Sequence, residues 1–211
     1  MTVLNIELFS AFLLASALLV LMPGPVVTLV IANSLKHGTR YGISTSLGAN
    51  CGTAVLLIAG AIGLTAALTL MSELFDIVRW AGAAYLIYLG IKEWRSTAAV
   101  LQDAQANRGK SFKRTFIHGF LTGLTNPKTI VFYIAFFPQF IDAGLPPAPQ
   151  VMIMTASFIA VAILLDGAYA LLSGRIRPYL MDAKRAVLRA RITGTLLLAT
   201  GIGLALARRP V

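Results

Sequence analysis

Charge is what this chain has least of: 12% of its 211 residues are charged, while 57% are hydrophobic. A water-soluble domain carries about 25% charged residues, and one of this size has no means of hiding so much apolar surface from water. A bilayer is the solvent that fits. Cysteine is nearly missing too. Cys51 stands alone in an apolar stretch, which excludes an intrachain disulfide and a thiolate metal site. His37 and His118 are too few and too far apart in sequence to form a ligand cluster, so a metal transporter gains no support and no cofactor is expected. Basic residues are missing ahead of the first apolar run: the first is Lys36, and Glu7 is the only charge before it. A secretory signal needs positive charge before its apolar core, so this run is expected to remain as a membrane helix.

What is present is a series of six apolar runs, near Leu8–Asn33, Ile43–Met71, Ile77–Trp94, Thr115–Phe140, Val151–Ser173 and Ile192–Ala207. They are apolar on consecutive residues rather than alternating ones, which argues for helices over a β-barrel. Roughly 20 apolar residues span a bilayer, fewer where the ends snorkel. The short third run has Arg79 to snorkel, with Trp80 and Trp94 as interfacial aromatics at its two ends. The expected fold is an all-α integral membrane protein with six transmembrane helices.

The net charge of +10 does not point to nucleic acid, because the basic residues fall in short clusters between apolar runs. Lys36 and Arg40 follow the first run. Lys92, near the end of the third run, and Arg95, Arg108, Lys110, Lys113 and Arg114, between the third and fourth, form the next cluster. Arg175, Arg177, Lys184, Arg185, Arg189 and Arg191 lie between the fifth and sixth. These are fourteen of the 18 basic residues, and the positive-inside rule puts them in the cytoplasm. Both termini are then expected outside, with Glu73, Asp76 and Asp142 in outer loops and Arg208 and Arg209 as a minor dissent. The polar stretch 96–114 reads as a cytoplasmic linker between a first three-helix half, 1–95, and a second, 115–211. An odd number of spans per half inserts the second half upside down, the inverted-repeat logic of many secondary transporters.

Two runs are interrupted at matching places. Met22-Pro23-Gly24-Pro25 breaks the first, where two prolines remove backbone donors and Gly24 adds freedom. Thr125-Asn126-Pro127-Lys128-Thr129 breaks the fourth. An ordinary proline kink explains one such break; two matched breaks are the sequence pointer to a transporter site. Backbone N–H groups opening the second half of a broken helix attract an anion such as a carboxylate. The carbonyls before the break can bind an ammonium, and a zwitterionic amino acid suits both. Lys128 and Asp166 are the charged residues within runs and away from their ends, where a charge costs at least roughly 2.5–3.5 kcal/mol; they face a cavity or each other. Ser46, Asn50 and Thr53 share one helical face, and Asn50 is a buried amide that needs partners. Gly48 and Gly52, with Gly119 and Gly123, read as close helix packing.

Taken together, Pro23-Gly24-Pro25, Asn33-Ser34-Leu35-Lys36-His37-Gly38, Trp80-Ala81-Gly82-Ala83-Ala84-Tyr85-Leu86-Ile87-Tyr88-Leu89-Gly90-Ile91 and Leu124-Thr125-Asn126-Pro127-Lys128 resemble the LysE/RhtB family of bacterial inner-membrane exporters. Phe137-Pro138-Gln139-Phe140, and Asp166 followed by Tyr169, resemble its homoserine/threonine-efflux branch. The resemblance covers nearly the whole chain and implies six spans and export driven by the proton gradient without ATP, in keeping with the lack of a Walker-type loop. The expected function is inner-membrane export of a small amino acid or derivative by proton antiport, through Pro23, Gly24, Pro25, Asn50, Asn126, Pro127, Lys128 and Asp166. The expected partners are that solute and the lipid bilayer, and a homo-oligomer is compatible with the sequence. Export of another polar metabolite or a cation is the alternative within transport. An intramembrane enzyme is the alternative outside it, weakened because Asp166 has no second carboxylate near it in sequence and no histidine lies clearly at mid-depth.

Overall fold

The computed structural model describes residues 3–70, 72–95, 111–181 and 183–206, and all regular structure among them is helical. Helix α1 is Ile6–Leu21. The Asn5 side chain caps it by accepting from the backbone N–H groups of Glu7 and Leu8, which a helix start leaves without intrahelical partners. After the break at Met22–Gly24, helix α2 runs Pro25–His37. Proline is tolerated at its first position because no intrahelical donor is needed there. The two helices are bent by 49°. Gly38 follows with φ of 99°, a left-handed conformation that only glycine adopts freely. Helices α3, Thr39–Leu70, and α4, Ser72–Arg95, come next.

The second series opens with α5, Phe112–Leu124, capped by Ser111. Of the expected linker, residues 96–110 lie outside the described residues, whereas Phe112–Arg114 already belong to α5 and are not linker. Thr125 and Asn126 break the helix. It resumes as the short α6, Pro127–Val131, then widens into a π turn, Phe132–Phe136, and tightens into a 3-10 turn, Phe137–Phe140. Helices α7, Pro147–Met181, and α8, Ala183–Leu206, complete the chain. The side chains of Glu73, Asp76, Arg79, Arg177, Lys184, Arg185, Arg189, Arg208 and Arg209 lie outside the described residues.

Among the described residues, all six apolar runs are therefore helical apart from the breaks. Thr39–Ala61 and Pro147–Ser173 are long and apolar enough to cross a membrane, and the bent α1–α2 pair makes a third such segment. Helices α4 and α8 have 24 residues each, about 36 Å at 1.5 Å per residue, so they have the length but a more polar composition.

Glycines set how the helices cross. A Cβ on Gly48 or Gly52 of α3 would collide with the backbone carbonyls of Phe116 or Phe120 of α5, and one on Gly119 or Gly123 would collide with those of Thr45 or Ala49. Both series ascend together, so α3 and α5 run parallel, backbone against backbone, as the small-xxx-small spacing predicts. Gly90 of α4 meets Gly194 of α8, and Gly201 meets Ala83 and Ile87; here the numbering runs in opposite senses, so this pair is antiparallel. An aromatic layer fills the space between α1 and the π and 3-10 turns: the Phe12 ring meets Phe137 edge-on at 5.2 Å and Phe140 at 5.6 Å. Beyond it, Asp142 accepts from the Asn5 amide at 2.9 Å and from the Gly144 N–H at 2.8 Å. The Asn5 bond, with help from Gly144, holds the Asp142 carboxyl below its usual range. This corner marks one end of the molecule, and the stack of Tyr41 on Phe112 at 4.3 Å marks the other.

Candidate functional site

The two breaks meet. Asn126 accepts the Lys128 backbone N–H at 3.2 Å and so caps α6, while Pro127 takes the first helical position. This cap places Lys128 in the first turn, from which its side chain reaches the last turn of α1. Its Nζ donates to the carbonyl of Leu19 at 2.7 Å and to that of Met22 at 2.8 Å. The Tyr169 hydroxyl donates to the Leu21 carbonyl at 2.8 Å. Carbonyls at a helix end have no intrahelical donor, and proline supplies none. The charge also sits at the negative end of the α1 dipole, where a cation is favoured. The carbonyls expected from the sequence to bind a solute's ammonium are thus occupied by the chain's own lysine and tyrosine.

Gly24 lies beside that lysine. Its φ of −134° and ψ of −168° are extended backbone open to any residue, so conformational freedom is not what glycine supplies here. It supplies room: a Cβ would stand 3.3 Å from the Lys128 Nζ. Gly24 also begins α2 without a side-chain cap, leaving the amides of the first turn to solvent or a ligand.

Asp166 approaches from the middle of α7 and is 5% exposed. The Asn50 amide donates to it at 3.3 Å and, one turn back on α3, to the Ser46 carbonyl at 2.9 Å. Lys128 is 9% exposed and faces the same cavity as Asp166. Gly24, Asn126, Lys128 and Asp166 line one cavity of about 30 Å³ together with Thr53, Thr129 and an apolar wall that includes Leu19, Val20, Val26, Val27, Phe158 and Ala162. That is room for about two water molecules. Of the residues expected in the site, Asn50 reaches this cavity through Asp166. Pro23, Pro25 and Pro127 shape the breaks rather than its wall.

Sequence reasoning missed the backbone carbonyls of α1 as partners of Lys128, and it missed the hydroxyl of Thr129. Thr129 sits next to the flagged lysine inside an apolar run, a signal that could have found it. The carbonyls have no side-chain signal. Among the described residues no group of three metal-binding side chains comes together. What does come together is a lysine held at a helix end, a buried carboxylate held by an amide, and hydroxyls in a narrow space. Such a site suits a small solute that carries charges of both signs, or a proton.

The model of the LysE type translocator family matches residues 17–208. A homoserine/homoserine lactone efflux protein of Salmonella typhimurium is 35% identical, over 97% of this chain and 99% of its own. A leucine efflux protein of the same organism is 30% identical over 82% of each chain. A membrane protein of Vibrio cholerae is 29% identical over 97% of this chain and all of its own. No solved structure matches.

Proposed function

The chain belongs to the LysE type translocator family, and from that premise we propose that it exports a small amino acid or a derivative, homoserine-like in size, across the bacterial inner membrane in exchange for protons. The observation that carries this reading is the meeting of Lys128 and Asp166, from a broken helix and an unbroken one, on a single cavity at the α1–α2 break. The solute's carboxylate sits at the uncapped start of α2 near Lys128, where amides and dipole favour an anion. Its ammonium sits at Asp166, and a proton takes that place on the return. The cavity holds only about two waters, so loading requires an opened conformation, in keeping with alternating access.

The transporter crosses the membrane six times as two inverted three-helix halves. The parallel α3–α5 pair and the antiparallel α4–α8 pair support this, because alternating insertion gives those senses. Orientation follows the basic clusters, with both termini and the Asp142 corner outside. In a Cys51→Ala background, an impermeant thiol reagent added to intact cells is expected to label Ala143→Cys and to spare Gln105→Cys. The opposite pattern would reverse the orientation.

The direct test uses inverted vesicles holding the protein at known density. An imposed proton gradient is expected to drive accumulation of labelled homoserine or leucine, and dissipating the gradient is expected to stop it. Gradient-driven accumulation of organic cations alone would favour the cation exporter, and accumulation of neither class would remove the transport assignment for these solutes.

A further inference from the structure

On or just beyond each of three helices that wall the cavity, α1, α6 and α7, a buried hydroxyl lies one turn nearer the Asp142 corner, that of α6 belonging to the π turn which continues it. Helix α1 lines the cavity with Leu19 and Val20, and Ser16 precedes them by three and four residues, on the same face. Thr129 lines it from α6, and Tyr133 follows one turn on. Helix α7 lines it with Phe158 and Ala162, and Thr155 precedes Phe158 by three. Since α1 and α7 start at the Asp142 corner and α6 runs toward it, all three steps point the same way.

The chemistry at this level is unusual for its surroundings. The hydroxyls of Tyr133 and Thr155 are hydrogen-bonded to each other at 2.8 Å. Ser16 is fully buried, and its hydroxyl has no hydrogen-bond partner among the described residues. A buried polar group without a partner costs about 1–3 kcal/mol, a cost that alanine at the same place would avoid. Packing does not explain it, because the neighbours on this face of α1, Phe12, Leu19 and Val20, are apolar. The next layer outward is the aromatic one around Phe12, Phe137 and Phe140. The hydroxyls therefore stand between a charged cavity and an aromatic barrier.

We propose that Ser16, Tyr133 and Thr155 form a second subsite between the cavity and the Asp142 face, which receives the side-chain hydroxyl of a hydroxyl-bearing amino acid on its way out. This rests on the export reading above and adds the residues that select the solute. Ser16 is the free member, and the Tyr133–Thr155 pair opens to share its bonds. A site built for hydrogen bonds discriminates against an analogue that lacks the hydroxyl, because its own polar groups are then left unpaired.

L-homoserine and L-norvaline differ by a hydroxyl against a methyl group and serve as the probes. The measurement is the ratio of their gradient-driven uptake into inverted vesicles at matched protein abundance, for the wild type, Ser16→Ala, Thr155→Val and Tyr133→Phe. The wild type is expected to favour homoserine, and each variant to lower the ratio by roughly tenfold, the effect of about one lost hydrogen bond. Ser16→Ala is the decisive variant, since it breaks no hydrogen bond among the described residues and should not lower abundance. An unchanged ratio in Ser16→Ala, or an equal fall of both solutes in all three variants, overturns the subsite while leaving export intact. If the wild type transports neither solute, the export reading and the subsite fall together.

Discussion

Asp166→Asn is expected to abolish proton-driven efflux while solute exchange continues. The substitution keeps the shape of the side chain and leaves an oxygen to accept from the Asn50 amide, now 3.3 Å away. What it removes is the ability to gain and lose a proton. A buried carboxylate is costly in an apolar region, and in antiport that cost is useful: the group is best neutral when empty, or when paired with an ammonium. The substituted side chain would be neutral at all times, so the empty carrier could return without a proton and the gradient would do no work. Counterflow, in which labelled solute exchanges for unlabelled, needs only binding and movement; the retained oxygen still accepts from the solute's ammonium, so exchange continues at weaker affinity. Gradient-driven uptake and counterflow measured side by side, at matched abundance, check the distinction. Full gradient-driven uptake by the variant would rule out Asp166 as the proton carrier.

Lys128→Met is expected to cost the folded protein itself. Its ammonium makes hydrogen bonds of 2.7 and 2.8 Å to carbonyls that no backbone donor can reach. Bonds to a charged group contribute about 1.5–3 kcal/mol each, so the two together contribute roughly 3–6 kcal/mol, a large share of the stability of an ordinary domain. The variant should show a sharp fall in membrane abundance and in thermal stability in detergent. The double variant Asp166→Asn with Lys128→Met separates two accounts of the lysine. If its role were only to neutralise Asp166, removing both charges would restore folding. Because its donors go to α1, the double variant is expected to remain as unstable as Lys128→Met, and recovery of abundance would refute this.

The sequence makes some of this legible for physical reasons. Proline and glycine in apolar runs mark the breaks because their backbone effects are local, and both breaks are where Pro23-Gly24-Pro25 and Pro127 put them. The glycine spacing of α3 and α5 shows because close packing depends on missing side chains. The 3.6-residue period brings Ser46, Asn50 and Thr53 to one face, and Asn50 binds Ser46 as that period requires. The distant partners are not legible. That Lys128 would reach 109 residues back to Leu19 depends on the crossing of α1 and α6, and a carbonyl is the same in every residue. The π turn after α6 is also silent, since Phe132–Phe136 reads as a plain apolar run, whereas Pro138 stands in the 3-10 turn that follows. The role of Gly24 was legible in place but not in kind, because a sequence cannot tell a need for φ from a need for space.

The glycine contact between α3 and α5 bears on how the molecule can change shape. Four positions, Gly48, Gly52, Gly119 and Gly123, each sit with a main-chain carbonyl of the opposite helix where a methyl group would be. Sliding one helix along the other would lift all four carbonyls out of their notches at once, whereas a small turn about the line of contact disturbs each only slightly. One of these helices lies before residues 96–110 in the chain and the other after them, so the contact joins an early segment to a late one. Any movement of the cavity walls across this contact is therefore expected to be a turn rather than a slide.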